Sequence, residues 1–444
     1  MKKIYFVGIK GVGMSGLAVI AGQQGFEVAG CDSSEVFITD KILFQHHIKV
    51  ETGFDREIKN VDLVIYTGAH QGKNNPAVLS AIANKIRVLN YAQGLRELTQ
   101  SKKIIAVAGT HGKTTTTAMI AKVLKDAGLD PGYLIGTGNV PDLGGNGRWG
   151  KGDYFVAEAD EYVADPTDTK SKPKFLYLNP LVGVVLSTEY DHPDVFKTPK
   201  LCQNAYKKFV KRVLPQGLAI VRGDEKSAQK IIKSAESKTK VKKIFFNQIV
   251  PGINLKISGQ YNLFNANAAF YACRFLGVNT QLIKKSLNSF SGLERRMEFK
   301  FDGKKNEIKI YDDYAHHPTE IKEALKNLRS QYNTQRIVVV FQSHTVSRTQ
   351  ALLPDFGKSF ADADMVIVAP IFLSAREVKS DFTEIDLASE IQKFHKNCIS
   401  FPSQRQIIDF LQKQVHDGDI IITMGAGDIY KLISKFKLPH RQSP

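Results

Sequence analysis

An apolar run that ends on a glycine, followed by a second glycine, a lysine and four threonines, constrains this chain more than any other stretch. Lys103–Thr117 reads KIIAVAGTHGKTTTT. The run predicts a buried strand that stops at Gly109, and the residues after Gly112, Lys113 and Thr114 suit a helix. A strand, a glycine turn and a helix N-terminus aim several backbone N–H groups and the positive end of a helix dipole at one spot, which suits a polyphosphate. Lys113 is expected to lie against the β- and γ-phosphates with no packing duty, and the Thr114 hydroxyl to bind Mg²⁺. The usual P-loop is G-x-x-x-x-G-K. Val107 stands where its first glycine would fall, so the motif here is a shortened G-x-x-G-K-T. An ordinary strand-to-helix turn is the alternative, and the Lys-Thr pair at the helix start argues against it.

At 444 residues the chain is too long for one core, and roughly three domains of ordinary size are expected. No uncharged apolar stretch approaches the roughly 20 residues that span a bilayer, so a cytoplasmic protein with no membrane association is expected. Cys31, Cys202, Cys273 and Cys398 are scattered and form no C-x-x-C pair, which suggests neither a zinc site nor a disulfide framework. The net charge of +17 raises the question of nucleic acid. Basic stretches such as Lys207–Arg212 lack a helix-turn-helix, zinc finger or aromatic platform beside them, so solvated faces are the reading and no nucleic-acid partner is expected.

Before the P-loop, a strand at Ile4–Val7 runs into Gly11-x-Gly13-x-x-Gly16, the spacing of a dinucleotide-type turn. Gly11 allows the tight turn, Gly13 lets the backbone approach a diphosphate, and Gly16 lets the next helix pack on its sheet. A second strand at Glu27–Cys31 is followed by Asp32, where an acid commonly meets a ribose hydroxyl, and Val61–Thr67 is a further buried strand. A nicotinamide-dependent dehydrogenase is the rival reading of this turn, and a second phosphate loop a hundred residues later weighs against it. After the P-loop, strands at Tyr154–Ala157 and Val182–Ser187 end in Glu158-Ala159-Asp160-Glu161 and Glu189-Tyr190-Asp191-His192. Acids that terminate strands beside a P-loop strand are where a magnesium ligand is expected. Near Gly259 a helix carries Asn262 and Asn265, and the pair Arg295-Arg296 precedes a strand. Further on, Ile308–Tyr311 leads into DDYAHHP, and strands at Arg336–Phe341, Met365–Ala369 and Asp419–Thr423 alternate with helices, the last entering Gly425-Ala426-Gly427.

Taken together, GTHGKTTT, EADE, Asp191-His192, the asparagine helix, the Arg-Arg pair and YDDYAHHPTEI resemble, in order and spacing over essentially the whole chain, the Mur ligases, ATP-dependent amide-forming enzymes of peptidoglycan precursor synthesis. The resemblance implies an α/β protein of three domains: residues 1–101 N-terminal and Rossmann-like, holding UDP-N-acetylmuramate; 102–297 central and P-loop ATPase-like, holding ATP and Mg²⁺; 298–444 C-terminal and Rossmann-like, receiving the amino acid. It assigns the UDP part to Gly11, Val12, Gly13, Met14, Ser15 and Asp32. ATP falls to Gly109, Thr110, His111, Gly112, Lys113, Thr114, Thr115, Asn265, Arg296 and Asp313, and the metal to Thr114, Glu158 and His192. Catalysis falls to Lys113, His192, Asp313 and His316, and the amino acid to His344 and Arg348. Members that attach L-alanine are the most similar, and members that recycle the tripeptide L-alanyl-γ-D-glutamyl-meso-diaminopimelate come second. Ser343 and Val346 stand where alanine-adding members usually carry a proline and an aromatic, which leaves the amine open. A non-catalytic protein that binds ATP and a UDP-sugar is the alternative of another class.

Overall fold

Long apolar runs that alternate with helix-compatible segments have one economical solution, a parallel sheet covered on both faces. The computed structural model, which describes residues 2–193, 195–223, 226–233, 241–303, 308–373 and 380–435, adopts it three times. The first sheet comprises β1 (Lys3–Val7), β2 (Glu27–Asp32), β3 (Lys49–Thr52), β4 (Leu63–Tyr66) and β5 (Arg87–Asn90), all parallel, in the order β3-β2-β1-β4-β5. The strand order reverses at β1, and the glycine turn follows β1 directly, at the place where open α/β sheets bind ligands. The second sheet comprises β6 (Lys103–Ala108), β7 (Gly132–Leu134), β8 (Gly147–Arg148), β9 (Tyr154–Glu158), β10 (Val182–Val185), β11 (Leu218–Arg222) and β12 (Lys242–Phe246). Its order is β12-β11-β10-β6-β9-β7-β8, so the P-loop strand β6 lies between the two strands that end in acids. The third sheet, β13 (Glu298–Gly303), β14 (Ile308–Asp313), β15 (Ile337–Phe341), β16 (Met365–Val368), β17 (Cys398–Ser400) and β18 (Ile420–Met424), runs β13-β14-β18-β15-β16-β17 with only β13 antiparallel.

Two compact units contain these sheets. One runs from the N-terminus to Ile257 and resumes at Tyr261–Glu294, and it holds the first and second sheets; the other comprises Ser258–Gln260 and the chain from Arg295 onward, with the third sheet. Fully buried strands were the ones legible as apolar runs: β4, β10, β15 and β18 are buried at every residue. Edge strands such as β3 (KVET) and β5 (RVLN) carry charge and face water, and nothing in their pattern separates them from loops. Among the described residues no helix is long and apolar enough to cross a membrane, and all four cysteines are free and buried.

Within the first unit the two sheets share a core in which Leu17 of the helix Val12–Gln23 joins Leu134 of β7 and Phe155 of β9. Gly16 belongs to this contact. A Cβ at Gly16 would overlap Leu134 Cδ1, in the second sheet rather than its own, and a Cβ at Gly147 would lie 2.6 Å from Gly16 Cα. The third glycine of the turn therefore serves the junction between two sheets, a correction to its expected duty. Asn146 completes the junction by donating through Nδ2 to Val12 O at 2.9 Å and Ser15 Oγ at 3.3 Å. Gly147→Ala is expected to destabilise the first unit by about 1–3 kcal/mol through overpacking. Gly22→Ala, on the same helix where a Cβ meets nothing within 4 Å, should stabilise it by about 0.5–1 kcal/mol. Denaturant midpoints of the two variants check this, and equal shifts would refute the close contact.

Candidate functional site

The turn after β6 depends on two left-handed glycines. Gly109 has φ +136° and Gly112 +81°, and a side chain at either would also collide, with Leu186 and Ser187 at the first and with Asn265 Oδ1 at the second. The helix Lys113–Asp126 begins on Gly112, so its N-terminus opens toward the ends of β9 and β10. The N–H groups of Thr110 and His111 are bound to Ser187, through its carbonyl at 3.1 Å and its hydroxyl at 3.0 Å. These two donors hold the turn to β10 rather than point at a ligand. Thr115 is buried at the helix start. Asn265, on the helix Gln260–Phe275, packs against the turn and donates to Asn262 Oδ1 at 3.3 Å.

Around this turn the acids converge. Thr114 Oγ1 donates to Glu158 Oε2 at 3.3 Å. The Lys113 ammonium folds back over its own loop, donating to Gly109 O at 2.7 Å and to Glu161 Oε2 at 3.1 Å. Glu161 is 2% exposed and also meets His192 Nε2 at 3.3 Å, which lies 3.5 Å from Asp191 Oδ2. Burial opposes the charge on Lys113, yet Glu161, Asp160 and Glu158 overcome it and hold the ammonium above the ordinary lysine range. Burial likewise opposes ionisation of Glu161, and Lys113 and His192 keep its carboxyl below the usual range. His192 itself sits at φ +58°, a conformation that a bulky residue adopts at a cost. The ligand atoms of Glu161, Asp191 and His192 lie within 4.8 Å of one another, close enough to share a cation. Glu161 and Asp191 were absent from the expected site set, although both stand in the two acid motifs. Spacing along the chain does not say which acid of a quartet points inward. The expected freedom of Lys113 from structural duty is also corrected, since it neutralises a buried carboxylate.

At the first turn, the side chains of Met14 and Ser15 are buried, Ser15 against Asn146. Asp32, 1% exposed, accepts from the N–H of Lys10 and of Ser33, each at 2.7 Å, so it braces the turn between β1 and its helix. The ring of Tyr91 covers Gly13, where a Cβ would lie 2.9 Å from its hydroxyl.

In the second unit β14 continues through both aspartates. Asp312 is buried and accepts from Arg295 Nε at 3.0 Å and Thr423 Oγ1 at 2.7 Å. Arg295 reaches on to Gly425 O at 2.6 Å and Gly427 O at 3.2 Å, so the last glycine turn presents carbonyls to the protein's own arginine. Arg296 lies over the Tyr314 ring at 4.8 Å. Asp313 accepts from Met297 N–H at 2.6 Å and Ala315 N–H at 2.7 Å. Next along the chain, His316 packs edge-on to His344 with ring centroids 6.3 Å apart, and His344 stacks on Phe372 at 5.5 Å. Arg348, 5% exposed, places Nη1 3.4 Å from His344 O, so His316, His344 and Arg348 gather at the C-terminal ends of β14 and β15. Ser343 bonds the Thr349 hydroxyl inside this segment and Val346 is buried.

A glycine turn carrying Lys113 and Thr114 at the end of β6, with acids at the ends of β9 and β10, fits an ATP-using ligase, and the chain belongs to the Mur ligase family. Three descriptions of that family match in succession, its catalytic domain over residues 3–103, its middle domain over 107–248 and its glutamate ligase domain over 295–427. Among individual proteins, the chain is 40% identical to a UDP-N-acetylmuramate–L-alanine ligase of Acetivibrio thermocellus, over 98% of this chain and 95% of that one. It is 37% identical to the protein of the same name in Clostridium tetani, over 97% of both chains. The fold matches the UDP-N-acetylmuramate-alanine ligase of Thermotoga maritima with a TM-score of 0.77 at 23% identity over 98% of both chains. It matches a murein peptide ligase of Psychrobacter arcticus at 0.73 and 23% over the same shares.

Asp313 yields a pH prediction. Burial pushes its carboxyl up to about 6 from the ordinary 3.8, against the pull of Arg296 and of the Ala315 and Met297 N–H groups. The folded protein holds this proton more tightly than the unfolded chain, so the associated stability is complete below about pH 4 and lost as the pH rises through about 6. Unfolding free energy of the wild type relative to Asp313→Asn should therefore fall by about 3 kcal/mol across that window. Denaturant titrations at pH 4 and pH 7 measure it, and a flat or rising difference would contradict the buried carboxyl.

Proposed function

We propose that this chain joins L-alanine to the carboxylate of UDP-N-acetylmuramate at the expense of ATP, giving ADP and phosphate, as a step of peptidoglycan precursor synthesis in the cytoplasm. One observation carries the reading: at the end of β6 Lys113 meets Glu161 and Thr114 meets Glu158 of the β9 end, and Glu161 links them to His192 and Asp191 beyond β10. The names of the 40% and 37% identical relatives support the substrates.

In this reading residues 1–101 hold the UDP part, through the backbone of Gly11, Val12 and Gly13 and the braced turn of Met14, Ser15 and Asp32. Residues 102–297 hold ATP on Gly109–Thr115 with Asn265 and Arg296, and residues 298–444 add Asp313 and His316. A carboxylate is a poor electrophile, so its oxygen first attacks the γ-phosphorus, the bond to the β-phosphate oxygen breaks, and ADP leaves with that electron pair. The amine then attacks the acyl carbon, loses a proton, and inorganic phosphate departs. Lys113 opposes the charge that builds on the transferring group. Thr114 with Glu158, and Glu161 and Asp191 with the His192 imidazole beside them, would hold magnesium; the hydroxyl and the carboxylates are the oxygen donors suited to that ion. When bound, Mg²⁺ supplies positive charge to the phosphate oxygens. His344 and the guanidinium of Arg348 take the α-carboxylate of the amino acid.

Phosphate release on mixing the protein with ATP, Mg²⁺, UDP-N-acetylmuramate and alanine tests the reaction. A tripeptide acceptor that far outperforms alanine would overturn the choice of amine. Lys113→Ala should reduce release by about 10³-fold or more. It should also lower stability by about 3 kcal/mol, because Glu161 loses its cation. Adding Glu161→Gln should restore the stability and not the activity; a folded Lys113→Ala protein with near-normal release would reject the P-loop assignment. Arg348→Lys is expected to raise KM for alanine about tenfold, since an ammonium has no planar fork. An unchanged KM would remove Arg348 from the amino-acid site.

A further inference from the structure

The substrate that this reading requires must be anchored at the glycine turn of the first sheet while its carboxylate reaches the P-loop of the second. Between these two turns lies one largely buried ammonium. Lys174 opens the short 3-10 turn Lys174–Tyr177, in the connection between β9 and β10, and its side chain is 16% exposed. Its Nζ donates to Tyr162 Oη at 2.8 Å and to Asp160 Oδ2 at 3.2 Å. The same nitrogen lies 4.0 Å from the Tyr162 ring centroid and 4.7 Å from that of Tyr91.

Each partner belongs to a different part of the site. Tyr91 begins the helix Tyr91–Leu98 after β5, and its ring roofs Gly13 of the first turn. Tyr162 packs on His192 with ring centroids 5.1 Å apart, and Asp160 adjoins Glu161, which holds both His192 and Lys113. A continuous path of contacts thus runs from Gly13 through Tyr91 and Lys174 to Tyr162 and Asp160, and from there to His192, Glu161 and Lys113. All of it lies within the first unit.

From this path we infer that Lys174 is a positioning residue that sets the spacing between the two phosphate turns. The inference rests on the reading that the first turn holds the UDP part and the second the ATP. Replacing a buried ion pair by apolar groups of similar volume often costs little stability, so stability is a weak reason for an ammonium in this place. Geometry is a strong one. An ammonium shared between a carboxylate, a phenol and two ring faces settles where all of them attract it, and in doing so fixes their separation. A carboxylate misplaced by about 1 Å from the phosphorus loses about 10²-fold in rate, while each end of the substrate still finds its own turn intact. Loss of Lys174 therefore acts on turnover and not on either affinity.

The test uses the full chain with Lys174→Met, which keeps the stem and removes the charge. Lys174→Met combined with Asp160→Asn leaves no orphaned carboxylate, and Lys174→Arg keeps both the charge and the ring contact. In the first two, kcat for phosphate release should fall about 10- to 100-fold with KM for ATP and for UDP-N-acetylmuramate within about threefold of wild type. Lys174→Arg should recover most of the loss. A second readout needs no ligation: Mg²⁺ with a non-hydrolysable ATP analogue should slow hydrogen exchange at residues 109–115 in every variant. It should slow exchange at residues 8–16 in the wild type and Lys174→Arg alone. A wild type that shows this coupling but does not ligate alanine would discard the proposed function and keep the inference. A ligating wild type whose folded Lys174→Met variant retains kcat within twofold, or raises both KM values at full kcat, would overturn the inference and leave the function standing.

Discussion

A lysine ammonium withdrawn from water beside a carboxylate that is itself 2% exposed is the interaction on which the first unit's site depends. Neither charge is tolerable there alone, and each makes the other affordable. Lys113 reaches Glu161 only because Gly109 and Gly112 turn the backbone through left-handed conformations, folding the loop so that its lysine lies over its own carbonyls. Glu161 in turn orients His192, whose left-handed backbone is held by the Asp191 carboxylate accepting its N–H at 2.7 Å. Without Lys113, Glu158, Asp160 and Glu161 lose a cation that all three face.

The second unit solves the same problem with an arginine. Arg295 is 6% exposed, and its fork is satisfied by Asp312 and by the carbonyls of Gly425 and Gly427, with the Tyr430 ring 4.3 Å from its centre. Arg295 and Met297 both take positive φ, and the surrounding bonds compensate that cost: Arg295 O accepts from Tyr314 N–H, and Asp313 accepts from Met297 N–H. Two adjacent arginines of identical chemistry have thus been divided by the backbone. One is built into the sheet ends, and the other lies along Tyr314 beside the ionisable Asp313.

Much of the architecture was legible because parallel strands buried on both faces must be apolar throughout, and apolar runs are visible without a partner. The glycine turn after β6 was legible for a related reason: glycine at Gly109 and Gly112 answers a local demand of backbone conformation, and Lys113 and Thr114 follow it directly in the chain. Edge strands β3 and β5 are not legible as strands because their residues are part exposed and polar, and pairing with a neighbour is what makes them strands. Glu161, Asp191 and Arg295 stand in legible motifs, but their duties, like that of Lys174, were not legible, for another reason. Each is an ordinary charged residue whose significance lies in what approaches it from elsewhere in the fold.

Gly16 shows the division most plainly. Its place in a G-x-G-x-x-G turn was readable from spacing, and the atoms that require it to be glycine, Leu134 and the backbone at Gly147, belong to a different sheet more than a hundred residues away. By itself the sequence determined what short-range physics dictates: the apolar strands, the left-handed turns, the helix starts, and the residue types able to meet phosphate and metal. The tertiary structure alone decided which acid faces Lys113, which arginine is buried, and which side chains lie between one glycine turn and the other. Those outcomes depend on distances across the chain, and burial strengthens charge interactions only after folding has brought the groups together.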